Sequence, residues 1–144
     1  MSVEENKALV RDYIDNHLMA QLRGDEHDVG AFLAPDVTYH TAWITPREDH
    51  AETLQVEAEA LRSAFRDIDV RVDRMVGEGD FVSTHWSASV RHHGSFPHAA
   101  GDIEPTGQQM EIGGLTLYRF QNGKIKDIWV YSNVWDAVRS SASA

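Results

Sequence analysis

The hydrophobic periodicity of the chain changes once, near Asp67, and that change constrains the fold more than any other feature. Before Asp67, apolar residues recur about every four positions, as they do along helices that bury one face. After it, Ile68, Val70 and Val72 alternate with charged residues, which is the period-two pattern of a half-buried strand. Helices followed by a run of strands predict an α+β protein rather than a doubly wound sheet.

The half of the chain before Asp67 is predicted to be mostly helical. We expect helices over 4–22, 28–33 and 48–66, and a short strand over 37–41. The first helix has the best-defined ends, because Ser2 and Glu5 have the spacing of a capping box and Gly24 follows its last apolar residue. Helices with one apolar stripe must bury that stripe against another layer.

The second half is predicted to be a meander of four strands, over 68–72, 81–93, 110–120 and 125–131. Asn122-Gly123, between the last two, is the dipeptide favoured in two-residue hairpins. In the long strand over 81–93, the even positions from Val82 to His92 form the apolar face. A strongly curved sheet of this kind, closed by helices, makes a cone with a pocket inside it, where small ligands bind.

The predicted fold is therefore a cone-shaped α+β barrel, with N-terminal helices packed on a curved antiparallel or mixed sheet. With 144 residues and no internal repeat or boundary, 1–144 is expected to form one domain. The stretch 94–108 has no periodicity. Because such long loops in compact domains are often functional, we expect it to be a flexible lid.

Composition and missing motifs exclude several classes of function. The net charge of −10 argues against nucleic acid and anionic membranes as partners, since both attract Lys and Arg. The chain has no cysteine, which excludes disulfides, thiol nucleophiles and cysteine-based metal sites. It also lacks the motifs of nucleotide-binding proteins and serine hydrolases. With no signal peptide and no long apolar run, we expect a cytoplasmic protein whose partner is a small molecule or another protein.

The chain contains eight histidines, which are candidates for chemistry. His85 and His93 share a strand face but lie roughly 27 Å apart along it, so no metal site is expected. His92 is different, because it falls on the apolar face with Trp86 and Val90. A polar group there must find a partner or line a cavity. His92 is therefore either a satisfied core histidine or a catalytic acid or base.

Tryptophans and one carboxylate also fall where a pocket is expected. Trp86 and Trp129 are either core residues or pocket walls that stack on an apolar ligand, and Trp43 is placed to edge the entrance. Asp127 alternates onto the same face as Ile125 and Trp129, which suits a paired residue better than a general acid. No two carboxylates have the spacing of a two-acid catalytic site.

Several short stretches recur in the order and spacing of one family. They are ENKALVRDYID in the first helix, LAPDV before His40, LRSAFRDI, GDFV, Trp86, HHG at 92–94, PTG, YRF with GKI, and Trp129. From Glu4 to about Trp135, the chain resembles the SnoaL-like polyketide cyclases of the NTF2-like superfamily. The overall resemblance extends to the indane-forming cyclases of antibiotic biosynthesis.

The resemblance implies a cone-shaped barrel, a homodimer packed sheet to sheet, and catalysis without a cofactor. In the aromatic cyclases of the family, an Asp two residues before an aromatic-Arg pair acts as acid and base for an aldol closure. The matching residue here is Thr116, which cannot transfer a proton near neutral pH. The histidine of the family's H-x-G stretch matches His92. The loop between Gly94 and Pro105 is longer than is typical.

The expected function is therefore a polyketide cyclase that folds a hydrophobic polyene polyketide for carbon–carbon ring closure with little proton transfer. A [4+2] closure to an indane is such a reaction. The residues expected to bind substrate are Tyr39, Trp43, Trp86, Ala88, Thr116, Tyr118 and Trp129, of which Tyr39, Thr116 and Tyr118 could polarise a carbonyl. The alternatives are an isomerase, dehydratase or epoxide-opening cyclase that uses His92, or a non-catalytic domain that binds a small molecule.

Overall fold

The computed structural model of the chain describes residues 2–25, 30–41, 51–96 and 102–143, and for 51–57 and 141–143 it describes the backbone alone. Its elements in chain order are α1 (Val3–Asp12), a π-helical segment (Tyr13–Leu18), α2 (Met19–Leu22), β1 (Leu33–Thr41), α3 (Ala51–Ala64), β2 (Phe65–Glu78), β3 (Phe81–His92), β4 (Gln109–Gln121), β5 (Lys124–Ser132) and α4 (Val134–Ser143). No helix in these described ranges is long and apolar enough to cross a membrane.

The predicted first helix exists, but it is not α-helical throughout. The capping box is confirmed, with the Ser2 hydroxyl accepting from the Glu5 N–H and the Glu5 carboxylate accepting from the Ser2 N–H. The π-helical segment interrupts the helix between α1 and α2, and such segments are frequent at functional sites. Gly24 then adopts a left-handed conformation, with φ of 89°, and the helix ends there as predicted.

The five strands form one sheet in the order β1-β5-β4-β3-β2. The meander from β2 to β5 is antiparallel, as predicted, and β1 pairs parallel to β5 at the sheet edge. The prediction of a helix over 28–33 is wrong where the chain is described, because residues 30–32 form a turn and Leu33 begins β1. Pro35 is tolerated in β1 because an edge strand has one side without ladder hydrogen bonds.

Helix α3 passes into β2 without a loop, and this junction differs from the prediction. The helix ends at Ala64 rather than Arg66, and β2 begins at Phe65. The Ala64 carbonyl accepts from the N–H groups of His93 and Gly94, so it is bound to the end of β3. A Cβ on Gly94 would lie 1.8 Å from the Ser63 carbonyl oxygen, so only glycine fits at this contact. The predicted start of this helix, near Glu48, lies outside the described residues.

A bulge in β5 overturns one expected face assignment. Asp127 pairs with Arg119, but Ile125 pairs with Phe120, so β5 carries one extra residue between the two pairs. Ile125 is consequently buried in the core, whereas Asp127 shares the other face of the sheet with Trp129. The prediction that all three share a face is wrong, because strict alternation does not survive a bulge.

The apolar face of the sheet curves around the helices and carries two hydrophobic clusters. The larger joins α1 and the π-helical segment to β1, β3, β4 and β5, and includes Val10, Tyr13 and Ile128. The second joins α3 and α4 to the other end of the sheet, and includes Phe65 and Val138. We call this side of the sheet the inner face and the opposite side the outer face. The α+β architecture with helices on a curved, open mixed sheet is confirmed.

Candidate functional site

An apolar cavity of about 130 Å³ lies between the inner face and the helices that cover it. The π-helical segment, α2, α3, all five strands and Val134 at the start of α4 contribute to its walls. Cavities of about 150 Å³ with aliphatic and aromatic walls bind a single benzene ring. The space therefore accommodates one ring-sized part of a ligand at a time.

The polar atoms of the wall are nearly all hydroxyls. They belong to Tyr13, Tyr39, Thr84, Thr116, Tyr118 and Ser132, together with the indole N–H of Trp86. Among the residues that the structure describes, no Asp, Glu, Lys, Arg or His lines the cavity. The wall can therefore donate and accept hydrogen bonds, but it offers no group that titrates near neutral pH.

Five of the predicted substrate-binding residues line this cavity together. They are Tyr39, Trp86, Ala88, Thr116 and Tyr118. Four of them come from β3 and β4, where the inner face carries alternate residues of each strand. Their role in binding remains a prediction, but the structure brings them to one space.

Trp86 lies against a gap in the sheet that a glycine provides. Gly114 is its direct partner across β3 and β4, and a Cβ there would lie 2.7 Å from the indole ring and 2.3 Å from the Tyr131 carbonyl oxygen. The indole N–H reaches Thr116 Oγ1 at 3.0 Å. Trp86 is therefore held along the wall, with its polar edge satisfied and its apolar surface facing the cavity.

Tyr118 belongs to the larger cluster and is 3% exposed. Burial raises the pKa of Tyr118 well above its usual range, Tyr13 adds to the rise, and the neighbouring Thr84 hydroxyl partly offsets it. The ring packs edge-on against Tyr13, with ring centroids 6.4 Å apart. The phenol stays protonated at any physiological pH, so Tyr118 can act as a hydrogen-bond donor but not as a base.

His92 is fully buried at the end of β3, but it is not among the residues that line the cavity. Its ring packs against Phe65, which does line the cavity, with centroids 5.7 Å apart. Burial lowers the pKa of His92, so the ring is neutral at pH 7. Nδ1 accepts from the Thr106 N–H at 3.4 Å, which leaves the proton on Nε2, and Nε2 has no partner in the described structure.

The two other predicted site residues are not in the described cavity wall. Trp129 faces outward, because of the bulge in β5, and stacks on His40 with ring centroids 5.2 Å apart and planes 7° apart. Trp43 lies outside the described residues. Asp127, considered as a proton carrier, is instead paired on the outer face with Arg119 and Thr38.

The predicted lid is anchored at both ends. Phe96 is fully buried and stacks on Trp135 of α4, and its backbone pairs with Ile103 through two hydrogen bonds. Gly107 then donates its N–H to the His92 carbonyl, which returns the chain to the end of β3. The middle of the loop, 97–101, lies outside the described residues, so the lid remains a prediction.

Sequence reasoning missed Thr84, Tyr13 and Phe65 as members of the wall. Thr84 falls on the same alternating face as Trp86 and Ala88, so the pattern that selected those residues could also have found it. Tyr13 gave a weaker signal, because the π-helical segment rotates side chains away from a regular helical spacing. Phe65 was assigned to a helix and is in fact the first residue of β2.

The curved, open sheet closed by helices around an apolar cavity is the NTF2-like cone fold. Within that class, the model of the SnoaL-like polyketide cyclase family matches residues 10–140, and the chain belongs to this family. No curated protein matches the sequence significantly.

Solved structures share the fold over nearly the whole chain. AclR from Streptomyces galilaeus, a candidate hydroxylase, is 22% identical with a TM-score of 0.75, over 99% of this chain and 84% of that one. A SnoaL-like polyketide cyclase candidate from Jannaschia is 18% identical with a TM-score of 0.75, over 98% and 93%. IdmH from Streptomyces antibioticus, a polyketide cyclase candidate, is 20% identical with a TM-score of 0.70, over 96% and 99%. At these identities the likeness shows the fold alone.

Proposed function

We propose that the protein is a cofactor-free polyketide cyclase of antibiotic biosynthesis, which folds a hydrophobic polyene for carbon–carbon ring closure in the apolar cavity. The observation that carries the proposal is the chemistry of the wall. Its described residues offer a curved apolar surface and several hydroxyls, but no acid or base that titrates near neutral pH. Such a wall suits a reaction governed by the shape of the bound chain.

A [4+2] cycloaddition, giving an indane ring in the most specific version of the proposal, is a reaction of this kind. Two carbon–carbon bonds form as π bonds are consumed, and no proton enters or leaves. Holding diene and dienophile in the reactive conformation can contribute roughly 7–11 kcal/mol in ideal cases. Hydroxyls that bind a carbonyl conjugated to the dienophile would withdraw electron density and lower the barrier further. The small cavity would hold the closing ring, with the rest of the chain extending from it.

Thr116 distinguishes this proposal from an aldol-type mechanism. Removal of a general acid or base costs about 10²- to 10⁴-fold in rate. We expect Thr116→Val to lower turnover by less than about tenfold, because only a hydrogen bond is lost. A loss of a thousandfold in that variant would contradict a closure driven by shape.

The direct test is turnover of a linear polyene polyketide by the purified protein, without cofactor and with EDTA, followed by mass spectrometry and NMR. The expected product is cyclic, has unchanged mass, and forms faster than in buffer. Ala88→Trp is the matched control, since it fills the cavity. A product lighter by one water would indicate an aldol or dehydrative reaction, and binding without turnover would indicate a binding domain.

An isomerase, dehydratase or epoxide-opening cyclase is the second candidate, and the unpartnered Nε2 of His92 favours it. A neutral imidazole can act as a base, or donate a hydrogen bond from Nε2, toward a ligand that displaces Phe65. This candidate predicts a bell-shaped dependence of rate on pH and a collapse of activity in His92→Ala. If the rate stays constant from pH 6 to 8 in both the wild type and His92→Ala, this candidate is contradicted. The cyclase whose closure depends on the shape of the bound chain would then be favoured.

We further propose that the protein is a homodimer joined through the outer face. Leu115 and Tyr131 are cross-strand partners on that face, and they are 51% and 61% exposed. Adjacent exposed apolar side chains on a sheet are typical of an interface. Analytical ultracentrifugation should give twice the 16.2 kDa mass of one chain, and Leu115→Asp should give the single-chain mass. A wild-type protein that sediments as a monomer would contradict the dimer.

A further inference from the structure

Thr84 carries a buried hydroxyl that the fold leaves unsatisfied. The residue is fully buried, lines the cavity, and its Oγ1 has no hydrogen-bond partner in the described structure. The Tyr118 hydroxyl is close enough to interact favourably with it, but the contact falls short of hydrogen-bond geometry. Buried hydroxyls without partners are uncommon because each loses its hydration, so this group is available to a ligand.

Thr116 lies directly opposite Thr84, and its hydrogen bond to Trp86 leaves its proton uncommitted. The two threonines are register partners across β3 and β4, which places their Cβ atoms about 5 Å apart. An indole N–H can only donate, so Thr116 Oγ1 is the acceptor of the 3.0 Å bond from Trp86. The hydroxyl hydrogen of Thr116 is then available to point elsewhere. The bond from Trp86 therefore leaves Thr116 able to donate its own hydroxyl hydrogen to a ligand.

We propose that Thr84 and Thr116 form a two-hydroxyl clamp that binds one carbonyl oxygen of an otherwise apolar ligand. The inference deepens the proposed function, on which it rests, by naming the group that orients the substrate. A carbonyl oxygen has two lone pairs and can accept from both hydroxyls at once. A carboxylate is a poor fit, because no cationic side chain among the described residues lines the cavity to balance a buried charge.

Two small probes of nearly equal shape, one a ketone and the other a hydrocarbon, test the clamp. Acetophenone carries the carbonyl, and ethylbenzene lacks an acceptor. We expect the wild type to bind acetophenone more tightly than ethylbenzene by calorimetric titration. Thr84→Val and Thr116→Val should each weaken acetophenone binding about fivefold and leave ethylbenzene binding unchanged. The carbonyl stretch of ¹³C-labelled acetophenone should move to higher frequency in both variants as the hydrogen bonds are lost.

Two further variants separate the hydroxyl from other effects of substitution. Thr84→Ser keeps the hydroxyl and should keep the preference for acetophenone. Ser83→Ala, one residue away on the outer face, should change neither affinity.

The outcomes distinguish the clamp from the function on which it rests. Equal losses for both probes in Thr84→Val, or no loss for acetophenone, would overturn the clamp and leave the apolar cavity as the site. Failure of the wild type to bind either probe would overturn the proposed function, and the clamp with it.

Discussion

The inner and outer faces of the sheet use the same strands but treat polar groups in opposite ways. On the outer face, Asp127 accepts hydrogen bonds from Thr38 and Arg119, and Arg71 binds Glu111 at 2.9 Å. On the inner face, Thr84 is buried with its hydroxyl oxygen unpartnered. These outer-face groups have partners within the fold, whereas the Thr84 hydroxyl of the inner face has none among the described residues.

This difference is the reason for expecting a ligand at the inner face rather than the outer one. A buried polar atom without a partner costs roughly 1–3 kcal/mol of stability. Proteins keep such costly groups mainly at the sites where they bind or react. Ion pairs between well-exposed side chains contribute little to the free energy of unfolding. We therefore expect a ligand to bind at the inner face, although no charged side chain among the described residues lines its cavity.

The largest expected effect comes from filling the space that the inner face encloses. Ala88 is 5% exposed and lies between Val70 and Ile112 in the register. Ala88→Trp should abolish ligand binding and turnover, at least a hundredfold, while overpacking costs about 1–3 kcal/mol of stability. Circular dichroism and probe titration check both. Ser89→Trp, on the outer face, is the matched control and should keep binding.

Gly114 and Gly113 offer a sharper comparison, because they are adjacent and belong to opposite faces. A Cβ on Gly114 would meet both the Tyr131 carbonyl and the Trp86 ring, whereas on Gly113 the nearest atom is 3.5 Å away. We expect Gly114→Ala to cost about 3 kcal/mol and to displace Trp86, and Gly113→Ala to cost under about 1 kcal/mol. Urea unfolding and tryptophan fluorescence measure the two effects. Equal costs would show that Trp86 is not held as described.

Substitution of Asp127 tests whether the outer face affects stability without affecting ligand binding. Burial opposes its ionisation, but hydrogen bonds from Thr38 and Arg119 and the charges of Arg119 and Lys126 outweigh that, so the pKa of Asp127 lies below its usual 3.8. Because the folded-state pKa is the lower one, the stabilisation is present above pH 4 and is lost as the pH falls through the folded value. Asp127→Asn should cost about 2 kcal/mol at pH 7.

The same variant gives the contrast with the inner face. The difference in unfolding free energy between wild type and Asp127→Asn should shrink as the pH falls from 5 to 3, and probe affinity should not change at pH 7. A difference that is constant with pH, or a weakened probe, would mean that Asp127 acts otherwise than through its charge.

The smallest effect is expected at the exposed pair of the outer face. Arg71 and Glu111 are 46% and 61% exposed in their side chains, so water screens their interaction. Glu111→Gln should change stability by less than about 0.5 kcal/mol. A loss comparable with that of Asp127→Asn in the same urea titration would show that exposure is a poor guide to the strength of these pairs.

The alternation of β3 could be read from the sequence, and it led to Trp86 and Ala88 in the cavity wall. The same alternation failed in β5, where the bulge turns Trp129 and Asp127 away from Ile125. A bulge adds one residue to one strand, and the residue types of 124–132 do not predict it. The parallel pairing of β1 with β5 could not be read from the sequence either, because it joins segments that are distant in the chain.

The sequence by itself determined the helical and strand halves, the hairpin at Asn122-Gly123, and the apolar face of β3, because each depends on local periodicity or turn chemistry. Only the tertiary structure decided which hydroxyls stay unpaired in the cavity. That property depends on cross-strand register, which sets Thr84 opposite Thr116 and Trp86 over Gly114. Threonine is ordinary in a strand, and it becomes a candidate for binding only when its neighbours leave its hydroxyl without a partner.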